Sequence, residues 1–415
     1  MHIPKFLANC KHIEMKVVQI NAVYKLSSTG RTVMEMHQYF KEHDIDSYKF
    51  YSVVNPDSDA FDIVGNTFDH KIHALCSRIF GMQTWFSTSA TKDLLKKLDT
   101  IRPDVVILRN FHANYINLPL LTKYLAKNDI ATIIVLHDCW FFTGHCCHYT
   151  EVGCQKWQTE CHDCPIIKKN RESWFFDTSR KMFRAKKKLF SAIPRLAVVG
   201  VSDWITNEAR KSPIFHNAKI FQRIYNWINL KPFNPKDTKE LRRKLKLKSE
   251  DFVALGVSMA WDYRKGMEIY FEVAKRMPDI KIVMIGKLPE KVDAPSNIIN
   301  VPPTGSVDEL ADYYSMADVL FNFSIQETFG KVAAEALACG TPLIVNEVTA
   351  NPEIPGDCGF VIRNNDVNSI INAINTIHSK GKDYYQQACV DRANSLFEKD
   401  TNIEQYIELF NRMTY

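Results

Sequence analysis

Two α/β domains, each a parallel sheet covered by helices, are predicted by this 415-residue sequence on three observations. Short β-branched apolar runs alternate with longer amphipathic stretches, the pattern of strands buried on both faces. The runs fall into two sets, with a Pro- and Asn-rich stretch, residues 226–237, between them. The length exceeds one ordinary core and fits two domains of about 200 residues each.

The first set is 17–20 (VVQI), 104–108 (DVVIL), 132–136 (TIIVL) and 196–200 (LAVVG). The second is 252–257 (FVALGV), 282–286 (IVMIG), 319–322 (VLFN) and 342–345 (PLIV). Each is short and bounded by polar or turn residues, as strands of a parallel sheet are. The chain accordingly divides into 1–14, an extension ahead of the first strand; 15–228, a first domain with a Cys-rich insert at 145–164; 229–396, a second domain; and 397–415, a C-terminal helix able to cross back to the first. Met15 stands where the first strand begins, which makes it a candidate natural start. Two such domains set the carboxyl ends of both sheets around one crevice, where open α/β sheets bind ligands.

A formal charge of +6 is mild for this length and gives no reason to expect nucleic acid as a partner. No run approaches the ~20 apolar residues that span a bilayer. The opening MHIPKFLANCKHIEMK has neither an apolar centre nor a small-residue cleavage site, so the cytoplasm is the expected location. The eleven cysteines are odd in number, which favours reduced thiols or metal ligation over disulfides.

The most informative segment is 324–342, SIQETFGKVAAEALACGTP. A strand feeds a polar loop; a helix is expected from near Phe329 to Gly340, followed by a new strand. The free N–H groups and positive dipole end of such a helix suit a pyrophosphate. Glu327 precedes it, and Glu335 lies about 9 Å along it at ~1.5 Å per residue. Two carboxylates so spread can accept hydrogen bonds from hydroxyls at opposite ends of a nucleotide-sugar.

This E-x7-E spacing, with its FG and EALACGTP flanks, resembles the signature of glycosyltransferase family 4. That family consists of retaining enzymes of the GT-B fold, two Rossmann-like domains facing each other across a cleft. The resemblance implies that Glu327 contacts the transferred sugar and Glu335 the donor ribose. It sets the backbone of Phe329, Gly330 and Lys331 beside sugar and phosphate. The stretch 256–266 contains VSMAWDYRKG, which resembles the segment that grips the donor phosphates, with Lys265 as its lysine. The usual arginine falls near Met259-Ala260 and is absent; Arg264 is the nearest substitute. Residues 223–235, RIYNWINLKPFNP, resemble the run that closes the first domain, with Trp227 for the usual Gly and Asn229 for the usual Asp.

On the first-domain side, Ser27-Ser28-Thr29-Gly30-Arg31 precedes a helix-like run. A hydroxyl cap and Gly30 would let backbone N–H groups approach a phosphate; an ordinary strand-to-helix turn is the plain alternative. The strand 132–136 ends in His137-Asp138. The resemblance implies that His137 lies against the donor sugar, with Asp138 orienting it or contacting the acceptor. A retaining transfer needs a stabilised leaving group and an oxocarbenium-like centre held by fixed charges. The resemblance implies a hexosyltransferase-type reaction on one face of the sugar, with neither a side-chain nucleophile nor a catalytic metal.

Within 145–164, HCCHYTEVGCQKWQTECHDC, the residues Cys146, Cys154, Cys161 and Cys164 form C-x7-C-x6-C-x2-C. Four soft ligands in so short a loop suit a structural, tetrahedral Zn²⁺; a packed loop of reduced thiols is the alternative. Capsule and colanic-acid-type members of the family carry a similar TGHC insert, which points to surface polysaccharide or exopolysaccharide synthesis. Residues 168–188 then hold Lys168, Lys169, Arg171, Arg180, Lys181, Arg184, Lys186, Lys187 and Lys188 among Trp174, Phe175, Phe176, Met182 and Phe183. A basic amphipathic segment of this kind can lie peripherally on anionic lipid at the inner face of the plasma membrane. A solvated helix face is the alternative.

The expected partners are therefore a nucleotide-sugar donor, a glycan or lipid-linked acceptor and an anionic membrane surface. A GT-B-fold nucleotide-sugar epimerase is the second enzyme reading. A zinc-containing nucleic-acid-binding protein is the alternative from another class, although it leaves the two glutamates without a task. A nicotinamide dehydrogenase lacks its G-x-G-x-x-G after a strand.

Overall fold

A computed structural model describes residues 15–56, 58–169 and 172–414. The extension 1–14 and Arg171 lie outside the described residues. The chain divides into two compact units. The first holds the described residues up to 199 with 209–222 and those from 406 onward; the second holds 200–208 and 223–405.

Each unit is built on a six-stranded parallel sheet. The first comprises β1 (Lys16–Ile20), β2 (Asp46–Phe50), β3 (Val105–Leu108), β4 (Ala131–Leu136), β5 (Leu196–Gly200) and β6 (Ile220–Arg223), in the order β2-β1-β3-β4-β5-β6. The second comprises β7 (Val253–Ala260), β8 (Lys281–Lys287), β9 (Ile298–Val301), β10 (Val319–Asn322), β11 (Leu343–Asn346) and β12 (Gly359–Ile362), in the order β12-β11-β10-β7-β8-β9. The eight runs read from the sequence are the eight inner strands. The four edge strands, β2, β6, β9 and β12, escaped because they are only partly buried, and DSYKF, IFQR and IINV also interrupt their apolar residues with polar ones. Inner strands such as β4 and β10 are buried along their whole length and read as continuous apolar runs.

Helices cover the sheets through apolar stripes. The helix Val367–Lys380 buries Ile370, Ala373, Ile374 and Ile377, the i, i+3, i+4, i+7 spacing of one face, and its N-cap Asp366 accepts from Ser369 N. The helix Ser27–Glu42 buries Val33, Met36, Tyr39 and Phe40. Phe40 meets Phe410 edge-on at 5.6 Å between ring centroids, so the last turns of the helix Lys399–Thr414 pack into the core of the first unit. Among the described residues, no helix is long and apolar enough to cross a membrane.

Candidate functional site

In the second sheet the strand order reverses between β7 and β10, which are hydrogen-bonded neighbours. Chains leaving their carboxyl ends diverge to opposite faces of the sheet, and an open α/β sheet binds its ligand at that divergence. Lys265 follows β7 and Glu327 follows β10.

The loops are joined by specific contacts. Asp262 caps the short 3-10 turn Tyr263–Lys265, its carboxylate accepting from Arg264 N and Lys265 N. Gly266 then takes φ 72°, and a Cβ there would stand 2.6 Å from the carbonyl oxygen of Phe323. The turn thus packs on the end of β10 as only glycine allows. Ile325 N donates to Arg264 O at 2.9 Å. With the loops so joined, Lys265 Nζ reaches Glu327 Oε1 at 2.9 Å. Glu327 N donates to Thr349 Oγ1 at 2.9 Å, and Ala350 N donates to Glu327 O at 3.1 Å. Arg264 turns its guanidinium onto Asp262, with Nε 2.9 Å from Oδ2.

Behind this loop lies a buried amide network that the sequence reading missed. Asn351 Nδ2 donates to Asn346 Oδ1 at 2.5 Å and Asn346 Nδ2 to Ser324 O at 2.8 Å, while Asn322 Nδ2 donates to Asn351 Oδ1 at 3.2 Å. The visible signal was an asparagine closing each of two apolar strands, β10 and β11.

The following helix spans Lys331–Ala338, two residues shorter at each end than expected. Phe329 is not its first residue but a core side chain, with its ring 5.3 Å from Phe397 and 6.0 Å from Tyr225. Gly330 is the N-cap at φ 93°, and no side chain caps the helix. The N–H groups of its first turn, from Lys331 on, are therefore not taken by a capping side chain. Glu335, in the second turn, is only 4% exposed and accepts from Tyr314 OH at 2.9 Å.

The first sheet reverses between β1 and β3. The loop after β1 turns at Lys25 (φ 63°) and Ser27 (φ 57°), not at Gly30. The helix already begins at Ser27, its N-cap is Leu26, and no side chain caps it. The expected hydroxyl cap and glycine loop are thus replaced by a helical turn with Gly30 inside it. Gly30 is held close, since a Cβ would lie 3.2–3.3 Å from Val23 Cγ2, Lys25 N and Tyr24 C. Asn110, after β3, donates to Thr29 Oγ1 at 3.3 Å and ties that helix start to the next strand end.

His137 ends β4. Burial, with the nearby Arg109 guanidinium, lowers its pKa to about 3, so the imidazole is neutral near pH 7. Arg109, which the sequence reading missed, is fully buried after β3 and donates to Gln19 Oε1 at 2.5 Å. Asp138 accepts from Trp140 N at 2.8 Å and lies 3.5 Å from His112 Nε2. His112, Asp138 and Cys147 each place a ligand-type atom within 4.8 Å of the others.

The insert folds against the helix Ser179–Ser191, where Arg184 Nε donates to Glu160 Oε1 at 2.5 Å. Cys139 N donates to Cys147 O at 2.8 Å, closing the segment after Asp138 into a loop. Cys146, Cys154, Cys161 and Cys164 line one small cavity. Burial pushes the Cys161 thiol up to about 12 and raises those of Cys146 and Cys164. Lys186 is fully buried with its ammonium on Trp140 O (2.6 Å) and Thr143 O (3.0 Å). Met182 and Phe183 likewise face the core, so they are not part of an exposed aromatic surface. Trp174, Phe175 and Phe176 remain exposed.

Residues 251–380 match the family described as Glycosyl transferases group 1. That span contains Lys265, Glu327 and Glu335. The chain is similar to the N-acetyl-alpha-D-glucosaminyl L-malate synthase of Bacillus anthracis, 25% identical over 183 residues, 42% of this chain and 48% of that protein. It is also similar to an uncharacterized 41.2 kDa protein in the cps region of Klebsiella pneumoniae, 33% identical over 27% of this chain and 32% of that protein. The chain thus aligns with about half the length, or less, of these curated relatives. Its structure superposes on Anabaena HepE solved with UDP, at a TM-score of 0.65 and 13% identity, over 96% of this chain and 100% of that one. The fold is that of GT-B glycosyltransferases. The glycosyl transferase match does not favour the epimerase or nucleic-acid-binding alternatives.

Proposed function

We propose that the chain is a retaining glycosyltransferase that moves a sugar from a nucleotide-sugar to a glycan acceptor during surface polysaccharide assembly. The observation that carries this reading is the Lys265–Glu327 pair, set at the reversal point of the second sheet and followed by an uncapped helix start. In this reading Lys265 and the first N–H groups of Lys331–Ala338 meet the donor diphosphate. Glu327 holds the transferred sugar, and Glu335, steadied by Tyr314, accepts from the ribose. The bond from the anomeric carbon to the phosphate oxygen breaks as the acceptor oxygen bonds on the same face. The departing phosphate takes the acceptor's proton. His137, which the resemblance sets against the donor sugar, is neutral and so brings no positive charge of its own.

The complex of Anabaena HepE with UDP makes uridine donors the first to try, and the similarity to a protein of a cps region supports a polysaccharide acceptor. Thermal-shift measurements against UDP-, GDP- and ADP-sugars, followed by analysis of the anomeric product, test the reading. A melting midpoint unmoved by every donor, with no transfer from any, would overturn it.

The same reading has the first unit resting on an anionic membrane. On the helix Thr67–Phe80, Phe68, Ile72, Leu75 and Phe80 are exposed. Trp174 N donates to Arg78 O at 2.7 Å, which brings the exposed Trp174, Phe175 and Phe176 beside that helix. Lys71, Arg78, Lys168, Lys169, Arg180 and Lys181 are exposed in the same two segments. Apolar rings within a basic rim suit a lipid surface of negative charge.

A further inference from the structure

The insert encloses a space with a specific lining. Cys146, Cys154, Cys161 and Cys164, with His145 and His162, line a cavity of about 20 Å³. That is room for one sphere the size of a water molecule or an ion. The backbone is drawn in around it. Gly144 N donates to Cys161 Sγ at 3.2 Å. A Cβ on Gly144 would stand 2.3 Å from Ser179 O and 2.7 Å from Cys161 Cβ, so no larger residue fits. Between Cys161 and Cys164, Asp163 takes φ 42°, which turns the chain within the C-x2-C. An N–H donor to sulfur is a partner of the kind that orients a metal ligand.

A second observation comes from the other side of the loop. The fully buried Lys186 ammonium is bonded to two carbonyls and lies 3.4 Å from the centroid of the Trp140 ring. A buried cation calls for nearby negative charge. The acidic groups around Lys186 are Cys161, Cys147, Cys146 and Asp138, three of them thiols. Four thiolates on a divalent ion carry a surplus of two negative charges, one of which a neighbouring ammonium offsets.

We propose that Cys146, Cys154, Cys161 and Cys164 hold one structural zinc ion, that Lys186 offsets part of the charge of the thiolate cluster, and that the assembly pins the segment following His137 and Asp138. Four soft, closely spaced ligands select tetrahedral Zn²⁺ over hard cations. Among the described residues, the ligand atoms found within 4.8 Å of one another belong instead to His112, Asp138 and Cys147. The four sulfurs must therefore close on the ion to reach ~2.3 Å. The link to the proposed donor chemistry is positional: Lys186 bonds Trp140 O and Thr143 O, in the loop that begins after Asp138. The metal site itself does not depend on the transferase reading.

The test is zinc content of the full chain purified without a histidine tag. The wild type is expected to carry about one equivalent, and Cys154→Ser or Cys164→Ser to retain less than about a tenth of that. Cys147→Ser is expected to keep its zinc, which separates this site from the His112–Asp138–Cys147 group. Lys186→Met should release zinc to a chelator faster. Cobalt-substituted wild type should show the intense thiolate-to-metal absorption of a tetrahedral sulfur site. Should the serine variants not fold, titrating wild type with a mercurial is the second measurement, and zinc release should follow thiol modification. Wild type grown with ample zinc yet holding less than about a tenth of an equivalent would overturn the proposal. So would zinc lost with Cys147→Ser but kept with Cys164→Ser.

Discussion

Lys265 Nζ and Glu327 Oε1 stand 2.9 Å apart, carried by loops that leave adjacent strands where the order of the second sheet reverses. The lysine is 39% and the glutamate 21% exposed, so water and salt screen the pair and it adds little to stability, on the order of 0–1 kcal/mol. Its placement is nonetheless well supported, by Gly266 against Phe323 on one side and Thr349 Oγ1 on the other. A weak ion pair on a rigid mount is better explained by a ligand that comes between the two charges than by folding.

Glu327→Gln should therefore leave the melting midpoint nearly unchanged, with a stability change below about 1 kcal/mol, yet lower kcat by about 10²-fold. Lys265→Ala should chiefly weaken donor binding and raise KM. Steady-state kinetics with the donor found by thermal shift decide it. Full turnover in both variants would remove the site.

Glu335 behaves differently because it is buried. Tyr314→Phe deletes the hydroxyl that donates to its carboxylate. The cost in stability should be about 1–3 kcal/mol, since a buried acceptor loses one of its donors. Donor affinity should fall with it, whereas kcat at saturating donor changes little. Calorimetric titration with the nucleoside diphosphate alone isolates the binding part; unchanged affinity would separate Glu335 from the ribose.

The inner strands were legible because full burial forces continuous apolar runs, and the glutamate spacing was legible because it lies in one contiguous loop and helix. What stayed hidden depends on partners distant in sequence. Arg109 reads as a strand-end residue until Gln19 and the far C-terminal Tyr406 close around it. The Asn322–Asn346–Asn351 network needs two strand ends and a loop at once. Gly30 misled because a glycine after a strand signals a turn, while here Lys25 and Ser27 supply the left-handed backbone. Met182 and Phe183 looked available beside so many lysines, but the helix that bears them buries one face.

Acid should destabilise the first unit early. Burial lowers the pKa values of His37 to about 4, His73 to about 3 and His137 to about 3, from an ordinary 6.5. Between those limits the unfolded chain binds protons that the folded one does not, so stability rises with pH across that window. The contribution is complete above about 6.5 and is lost as pH falls toward 4 and below. Unfolding midpoints in urea from pH 7.5 to 4.5 should decline with a steepness that His73→Phe reduces. A profile flat over that range would contradict the burial of these rings.

The membrane prediction turns on residues that the fold leaves uncovered. Phe68 and Phe175 are each 70% exposed, on a helix and a loop joined by the Trp174 N to Arg78 O bond. Burying a phenylalanine fully gains about 1.5–3 kcal/mol, and each lysine near an anionic surface adds about 1 kcal/mol. Replacing both rings by serine, or Lys168 and Lys169 by glutamate, should each lower binding to phosphatidylserine-containing vesicles by about tenfold or more. The ring variant should lose affinity at every salt concentration, since its contribution is apolar. The lysine variant should differ from wild type mainly at low salt, where charge is least screened. Flotation against neutral and anionic vesicles reads both effects. Wild type that floats equally with neither or with both lipids would remove the surface from consideration, because the basic rim would then have nothing to recognise.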